Sequence, residues 1–220
     1  MRASASTRFA TATLAAAALA CGAAAPALAH PHVWVEAHEK VLFTKDGKVE
    51  GVRNDWVFDE MYSAFVVQGV AKPGQLATTA ALAPMAKTNV DSLKDFDYFT
   101  FAKADGHKVA FAPPIDYSLE ERPDKRVVLH FTLPLATPVK TGRYLTLQVY
   151  DPTYFVDFEL AAKDPVQLVG APSGCSMSVL GPNPLVVEDG KTLAKAFDTG
   201  LTPSDDFALK MASRTIVACP

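Results

Sequence analysis

Cysteine is scarce in this sequence, and several motifs that identify enzymes are missing. The 220 residues include three cysteines, and no two of them form a Cys-x-x-Cys pair. There is also no Gly-rich phosphate-binding loop and no catalytic serine motif, which nucleotide-binding proteins and serine hydrolases require. Thioredoxin-like, nucleotide-dependent and serine-hydrolase functions therefore lack support, and we expect a protein that is not an enzyme.

Long apolar runs and an excess of basic residues are missing as well. Beyond residue 29 no segment offers the run of about 18 apolar residues that crossing a bilayer requires. Lys and Arg number 21 against 24 Asp and Glu, for a net charge of −3, whereas binding to nucleic acid requires a basic face. We therefore expect neither membrane insertion nor a nucleic-acid partner.

Residues 1–29 have the three parts of a cleavable signal peptide. Arg2 and Arg8 give a positive start, residues 10–20 are apolar, and Ala27-Leu28-Ala29 is a small-x-small cleavage site. We predict cleavage after Ala29 and an exported mature protein with 19 basic and 24 acidic side chains.

Cys21 leaves a second form of processing open. The segment Leu19-Ala20-Cys21-Gly22 matches part of a lipoprotein cleavage box. The mismatch is Ala18, three positions before the cysteine, where leucine is expected. Lipidation at Cys21 would retain residues 22–29. The amine of His30 would then be part of a peptide bond.

Cleavage after Ala29 makes His30 the first residue of the mature protein, followed by Pro31 and His32. The amine and imidazole of His30 and the imidazole of His32 can converge on one ion, because residues at i and i+2 of a strand share a face. Pro31 has no amide proton, which excludes the square-planar mode that needs a deprotonated second amide. Nitrogen-rich sites suit nickel, copper, zinc or cobalt, so we predict a divalent transition metal ion here. A solvated terminus without metal is the alternative.

Two acidic clusters supply candidate partners for these histidines. Asp59 and Glu60 lie at a predicted strand-to-helix junction, where they also suit the positive N-terminus of a helix. Asp151, Asp157 and Glu159 share one face if their strand is continuous, and the proline after Asp151 makes a turn the alternative. The predicted metal ligands are His30, His32, Asp59, Glu60, Asp151 and Asp157.

The other three histidines are weaker candidates for the metal site. His107 follows a hairpin glycine, which predicts an exposed position. His130 lies between apolar neighbours in a predicted strand, where a histidine is more often part of the core or sheet, and His38 lies in the first predicted strand.

Hydrophobic periodicity predicts strands at both ends of the mature chain. Residues 32–43 alternate with period two, and Asp46-Gly47 is a turn signal before a returning strand over residues 49–58. Asp105-Gly106 is a second hairpin turn. Further strands are predicted over residues 98–102, 108–111, 126–133, 143–160 and 207–218.

Helical spacing appears between these groups of strands. It covers residues 59–70 and about 75–93, where Pro84 would kink or divide the second helix. No internal repeat and no linker divides the chain. We predict an α+β fold, mainly an antiparallel β-sheet or sandwich with two or three helices in the 59–95 region, as a single domain over residues 30–220.

Two cysteines, Cys175 and Cys219, survive the predicted cleavage. Export would place them in an oxidising compartment, where a disulfide between them is the expected state. A thiolate metal pair is the alternative, although oxidation would remove both ligands. We predict the disulfide.

Three motifs together resemble the DUF1007 family: His30-Pro31-His32-Val33-Trp34-Val35, Trp56-x-Phe58-Asp59-Glu60 and Tyr150-Asp151-Pro152-Thr153-Tyr154-Phe155-Val156-Asp157. The resemblance implies a periplasmic component of an uncharacterised ABC-type transport system. Such proteins are often encoded beside nickel/cobalt exporter or permease-like membrane proteins. The motifs carry the same six candidate ligands.

The leading hypothesis is a periplasmic accessory protein that binds nickel, cobalt, zinc or copper and serves an inner-membrane metal transporter or ABC-type permease. A copper redox enzyme with a histidine brace at His30 is the second hypothesis. The third is an adaptor or substrate-binding component that docks on the transporter without metal. The two-lobed fold of classical periplasmic binding proteins is not expected, because the strand-helix repetition of such lobes is missing.

Overall fold

The computed structural model describes residues 31–72, 74–182 and 205–220. The predicted signal peptide, Cys21 and His30 lie outside these residues. The strands are, in chain order, β1 Val33–Phe43, β2 Val49–Phe58, β3 Thr100–Ala104, β4 His107–Val109, β5 Ile115–Glu121, β6 Val127–Val139, β7 Leu145–Val149, β8 Val156–Leu160, β9 Val166–Val169, β10 Ser176–Leu180 and β11 Arg214–Ala218. The helices are α1 Glu60–Val67, α2 Thr79–Leu93, a 3-10 helix Lys94–Phe99 and α3 Asp205–Met211.

Two sheets organise these strands. In the larger sheet the order is β5-β6-β2-β1-β8, and β9 also pairs with β1. β1 is antiparallel to β2 but parallel to both β8 and β9, which share its other edge. The smaller sheet has the order β10-β11-β7-β3-β4 and is antiparallel. This sandwich-like arrangement with helices confirms the predicted α+β class.

The first hairpin follows directly from the alternation in the sequence. Along β1 every second side chain is buried, from Val33 through Val35 and Ala37 to Val41 and Phe43. A strand with one face on the core has this pattern, and the predicted strands over residues 32–43 and 49–58 are confirmed.

Helices α1 and α2 begin at capping side chains. Asp59 caps α1, and the Thr78 side chain accepts a hydrogen bond from the Ala81 N–H, at 3.2 Å, to cap α2. Pro84 lies inside α2 but does not divide it, because the buried Leu82, Ala86 and Val90 hold the helix in the core. The prediction of two or three helices in this region is confirmed.

The segment after α2 departs from the predicted strand over residues 98–102. Asp97, Tyr98 and Phe99 have positive φ angles of 51°, 55° and 49°, a left-handed conformation that non-glycine residues adopt rarely. They end the 3-10 helix, and β3 begins only at Thr100.

The C-terminal segment differs from the predicted strand over residues 207–218 in its first half. Helix α3 precedes β11, and the spacing of the buried Ala208 and Ala212 is that of a helix. The predicted disulfide is confirmed, since Cys175 and Cys219 are bonded with their Cα atoms 4.1 Å apart. It joins the loop before β10 to the end of its neighbour β11.

The buried apolar residues form two clusters. The first, which we call the helix-side cluster, places Leu82 and Val90 of α2 against Trp56 and Leu129 of the larger sheet. The second, the sandwich cluster, joins residues of both sheets, including Val41, Val52, Leu145, Leu147 and Val217. The expectation of a single domain over residues 30–220 stays a prediction.

In the part of the chain that the structure describes, none of the helices has both the length and the apolar character needed to span a membrane.

Candidate functional site

The predicted ligands that the structure describes gather around the N-terminal end of β1. His32 lies immediately before this strand, and its side chain is exposed. Its backbone N–H donates to the carbonyl oxygen of Phe155 at 2.9 Å, and its ring centroid lies 4.9 Å from that of Phe155. His32 is therefore held against the segment that leads into β8.

Asp59 joins the start of β1 to the start of α1. One of its carboxylate oxygens accepts from the N–H of Trp34 at 3.0 Å, and the other accepts from the N–H of Tyr62 at 2.9 Å. The second bond is an N-cap, which the acidic residue at this junction predicted. Both oxygens thus have backbone partners, and a metal ion bound here would compete with them.

Asp151 lies in a turn and not on a continuous strand. The segment predicted as one strand over residues 143–160 is interrupted, because β7 ends at Val149 and β8 begins at Val156. The proline at position 152 fits this break, since it cannot donate to a strand ladder. Asp151 therefore does not share a strand face with Asp157 and Glu159, which do lie on one face of β8, and the turn alternative is confirmed.

The carboxylate of Asp151 organises this turn. The side chain is 3% exposed. Its Oδ1 accepts from the N–H and hydroxyl of Thr153, both at 2.8 Å, and its Oδ2 accepts from the N–H groups of Phe155 and Val156 at 3.1 and 3.0 Å. These four bonds fix the backbone to which His32 is attached.

Asp157 and Glu60 lie apart from these capping contacts. Asp157 is half-buried on β8, paired with Trp34 of β1, so it lies on the same outer face as His32, two residue pairs along the sheet. Burial and the Glu159 carboxylate raise the pKa of Asp157, while a hydrogen bond with Tyr154 opposes this. Glu60 is exposed in the first turn of α1.

Within the described ranges, no three His, Cys, Asp or Glu side chains are close enough together to hold a metal ion. His30, the other half of the predicted chelate, lies outside those ranges. The predicted ligand set therefore stays a prediction. The structure shows that His32, Asp59, Asp151 and Asp157 all belong to one end of the larger sheet.

A charged network on the outer face of the larger sheet was not predicted. Asp55 of β2 lies directly across from His130 of β6, and their side chains approach to 2.6 Å. Lys40 lies 3.0 Å from the same carboxylate, and Glu120 lies 3.5 Å from the other ring nitrogen of His130. Burial alone would raise the pKa of Asp55, but hydrogen bonds with His130 and Lys40 lower it to about 2. The pairing of β2 with β6 creates the network, and single-strand patterns do not reveal it.

A second unpredicted feature lies on the inner face of the same sheet. Glu39 of β1 is paired directly with Asn54 of β2, and the two side chains are 2% and 0% exposed. Neither the Glu39 carboxyl nor the Asn54 amide has a hydrogen-bond partner among the described residues. Burial raises the pKa of Glu39 to about 8.

This buried pair lies where the two apolar clusters meet. Two residues before Glu39 is Ala37 of the helix-side cluster, and two residues after it is Val41 of the sandwich cluster. Asn54 likewise separates Trp56 from Val52. The alternation of β1 places residue 39 on the apolar side, so the sequence carried a signal that this glutamate is buried.

Comparison with known proteins supports the resemblance seen in the motifs. Over 195 residues the chain is 26% identical to an uncharacterized protein of Haemophilus influenzae, and the match covers 87% of this chain and 92% of that protein. The profile of the family described as "Protein of unknown function (DUF1007)" matches residues 15–219. The chain therefore belongs to the DUF1007 family.

Proposed function

We propose that this protein is a periplasmic accessory protein that binds a divalent transition metal ion as cargo and serves an inner-membrane metal transporter. His30 and His32 are the primary ligands in this proposal. The observation that carries it is the exposed imidazole of His32 at the start of β1, next to the predicted first residue of the mature chain.

The contacts around His32 support a site of defined geometry. Asp59 holds the N–H of Trp34, and Asp151 holds the N–H groups of Phe155 and Val156. Because His32 donates to the Phe155 carbonyl between these anchors, its backbone position is fixed from two sides. A ligand that is fixed in advance loses less conformational entropy when the metal binds.

The acidic residues divide into two roles in this proposal. Asp59 and Asp151 direct their oxygens to backbone N–H groups, so they shape the site. Asp157 lies on the outer face of β8 beside Trp34, two residue pairs along the sheet from His32, and is the carboxylate best placed to join the histidines. Two imidazoles, an amine and a carboxylate suit nickel, cobalt, zinc or copper.

The test is metal titration of the protein exported and processed by a bacterial host. Native mass spectrometry gives the N-terminal residue and the bound metal, and isothermal titration with nickel, cobalt, zinc and copper gives the affinities. His32→Ala is expected to weaken binding at least about tenfold, because it removes a ligand. His107→Ala is the matched control, since His107 is an exposed histidine on β4 of the other sheet, and it should leave the affinity unchanged.

Three outcomes would contradict the proposal. The first is the absence of binding tighter than about millimolar, a standard free energy of roughly −4 kcal/mol, by a chain that begins at His30. The second is equal loss in His32→Ala and His107→Ala. The third is copper-dependent turnover of oxygen or peroxide with a reductant, which favours the redox-enzyme hypothesis, since a carrier protects its bound metal.

A further inference from the structure

A cavity of about 670 Å³ lies on the outer face of the larger sheet, at the Asp55 network. It is lined mainly by charged side chains and by two imidazoles, those of His38 and His130. Val57 and Val128, which are paired directly across β2 and β6, give it an apolar patch. The volume falls within the range of small-molecule sites, roughly 300–1,000 Å³, and leaves room for a hydrated ion beside the imidazoles.

Asp55 determines which ring nitrogen of His130 is free. The two residues are directly paired, and Oδ1 of Asp55 lies 2.6 Å from Nδ1 of His130. The other oxygen of this carboxylate accepts from the Lys40 ammonium at 3.0 Å, so the carboxylate is ionised and acts as the acceptor. Nδ1 therefore donates its proton, and in the neutral imidazole Nε2 keeps a lone pair. Histidines that bind metal ions are commonly fixed by a carboxylate in this way.

The other ring nitrogen of His130 faces a second carboxylate. Nε2 lies 3.5 Å from Oε2 of Glu120, a residue of β5 two positions beyond Ser118, the direct partner of His130. Without a proton on Nε2 both atoms are acceptors, so a positive group between them is favourable. An ion about 2.0–2.2 Å from each of two ligands keeps them roughly 3.0–3.5 Å apart at octahedral and tetrahedral angles. The separation of these two atoms therefore fits one bridging metal ion.

Both atoms are accessible, and nearby positive charges are compensated. The histidine side chain is 23% exposed and that of Glu120 is 56% exposed, so an ion can reach them and complete its coordination with water. Of the basic side chains that line the cavity, Arg122 lies 3.1 Å from the carboxylate of Asp124. Lys163 is followed directly by Asp164, which also lines the cavity. Glu120 therefore remains available for a cation.

We propose that His130 and Glu120 bind a divalent transition metal ion, with Asp55 as the positioning residue of His130. Two protein ligands leave the other coordination positions to water, and nitrogen and oxygen donors suit zinc, nickel, cobalt or copper. The site is distinct from the one proposed at the N-terminus. His32 lies six residues before His38, the β1 residue opposite Asp55, which is roughly 20 Å along a strand. The ion at His130 is therefore a second ion, and its binding does not require the first.

Zinc titration of the exported, processed protein tests this site. The starting point is His30→Ala/His32→Ala, called the double variant, which has neither primary imidazole of the N-terminal site. Isothermal titration of the double variant is expected to show one zinc ion per chain, and adding His130→Ala should abolish this binding. Adding His38→Ala is the matched control, because His38 is a half-buried histidine on the same face, on the other side of Asp55. It should leave the affinity unchanged.

Two further changes and an NMR measurement test the ligand atoms. Two-bond ¹H–¹⁵N spectra should show the metal-free His130 ring protonated on Nδ1, and zinc should shift its Nε2 resonance. Glu120→Gln, at an exposed position, should weaken zinc binding at least about tenfold, because the amide is a poorer ligand than the carboxylate. Asp55→Ala should weaken it about ten- to hundredfold, and the ring should then no longer be held in the form with the proton on Nδ1.

Three results would overturn the proposal: no zinc binding by the double variant, equal affinity after His130→Ala and after His38→Ala, or a zinc-induced shift of Nδ1 and not of Nε2 in His130. Glu120→Gln carries the same test if His130→Ala does not fold, and unchanged affinity in that variant overturns the proposal as well. Failure of the proposed N-terminal site has a different signature. The unaltered protein would then bind zinc as the double variant does, and His130→Ala would remove the ion from both.

Discussion

Asp151 and Glu39 both have carboxyl side chains that are almost fully buried, but the two groups differ in the hydrogen bonds that surround them. Asp151 is 3% exposed and Glu39 is 2% exposed. Asp151 accepts four hydrogen bonds, three of them from backbone N–H groups. Glu39 accepts none from the described residues, and its pKa is raised to about 8. Burial alone therefore does not determine what an acidic residue does in this fold.

The difference arises from backbone geometry. A turn presents several N–H groups that no strand or helix uses, and a short aspartate can collect them. In the middle of β1 the backbone groups are already paired with β2 on one edge and with β8 and β9 on the other. Glu39 therefore lies among side chains, and the side chain opposite it is the polar Asn54. The Asp151 carboxylate stabilises its turn, and Glu39 is tolerated in the core as a neutral acid.

Removal of the Asp151 carboxylate should have the largest effect. Asp151→Ala leaves three backbone N–H groups without the acceptor they have in the native protein, and we expect a loss of about 3–5 kcal/mol in the free energy of unfolding. Urea denaturation measures it. Asp151→Asn retains one carbonyl oxygen and should lose less. Stability of Asp151→Ala equal to that of the unaltered protein would remove the contrast with Glu39.

The contribution of Glu39 to the free energy of unfolding should depend on pH. Because the native protein holds this proton more tightly than the unfolded chain, the stability it confers is complete below the unfolded pKa of about 4.5 and is lost as pH rises to about 8. Between these values stability should fall by at most about 1.4 kcal/mol per pH unit, or about 3 kcal/mol over two units.

Glu39→Gln should abolish this slope, which denaturation at several pH values measures. Glu36→Gln is the matched control, because Glu36 lies on the exposed face of the same strand and should leave the slope intact. A slope that persists in Glu39→Gln would show that another group carries it.

Removal of the Asp59 carboxylate should lower the free energy of unfolding less than removal of the Asp151 carboxylate. Asp59 also accepts from two backbone N–H groups, those of Trp34 and Tyr62, but it is only half-buried. Asp59→Ala is expected to lower stability by about 2 kcal/mol, since it removes an N-cap and one further bond. Thermal unfolding measures this loss. A loss equal to that of Asp151→Ala would show that the deeper burial of Asp151 does not make its hydrogen bonds to the backbone more stabilising.

The smallest effect is expected at Asp55, whose partners are side chains. Hydrogen bonds with His130 and Lys40 lower its pKa to about 2, so its stabilisation is present above about pH 4 and is lost as pH falls towards 2. Asp55→Asn should lower stability at pH 7 by about 1 kcal/mol, as for a partly exposed pair. Acid denaturation should be less steep in this variant, and an unchanged acid transition would contradict the assignment.

How much the sequence predicted depends on how local each signal is. The alternation from Val33 to Phe43 and the acidic residue before α1 act within one element, and the hairpin and the cap follow from them. The parallel pairing of β1 with β8 joins residues more than a hundred positions apart. No spacing in the sequence predicts it, so the proximity of His32 to Phe155 could not be derived.

The candidate site also combines features that the local sequence predicted with features that depend on the folded chain. The motifs singled out Asp59 and Asp151, but their backbone partners emerge only from the folded chain, where they cap and fasten segments. The burial of Glu39 could have been predicted, because the alternation of β1 places its side chain on the same buried face as Val41. The positive φ angles of residues 97–99 could not have been predicted, because non-glycine residues adopt them only where the rest of the fold requires it.

The two short strands that share one edge of β1 also bear on the order of folding. The hairpin of β1 and β2 closes through neighbouring residues, whereas Val33 meets Val156 and Glu39 meets Val166. Contacts between distant positions form slowly, because a long loop must close first. During synthesis the outer edge of β1 therefore stays open until the last third of the chain arrives. His32 acquires its final geometry only then, so metal capture at the proposed site belongs to the completed fold.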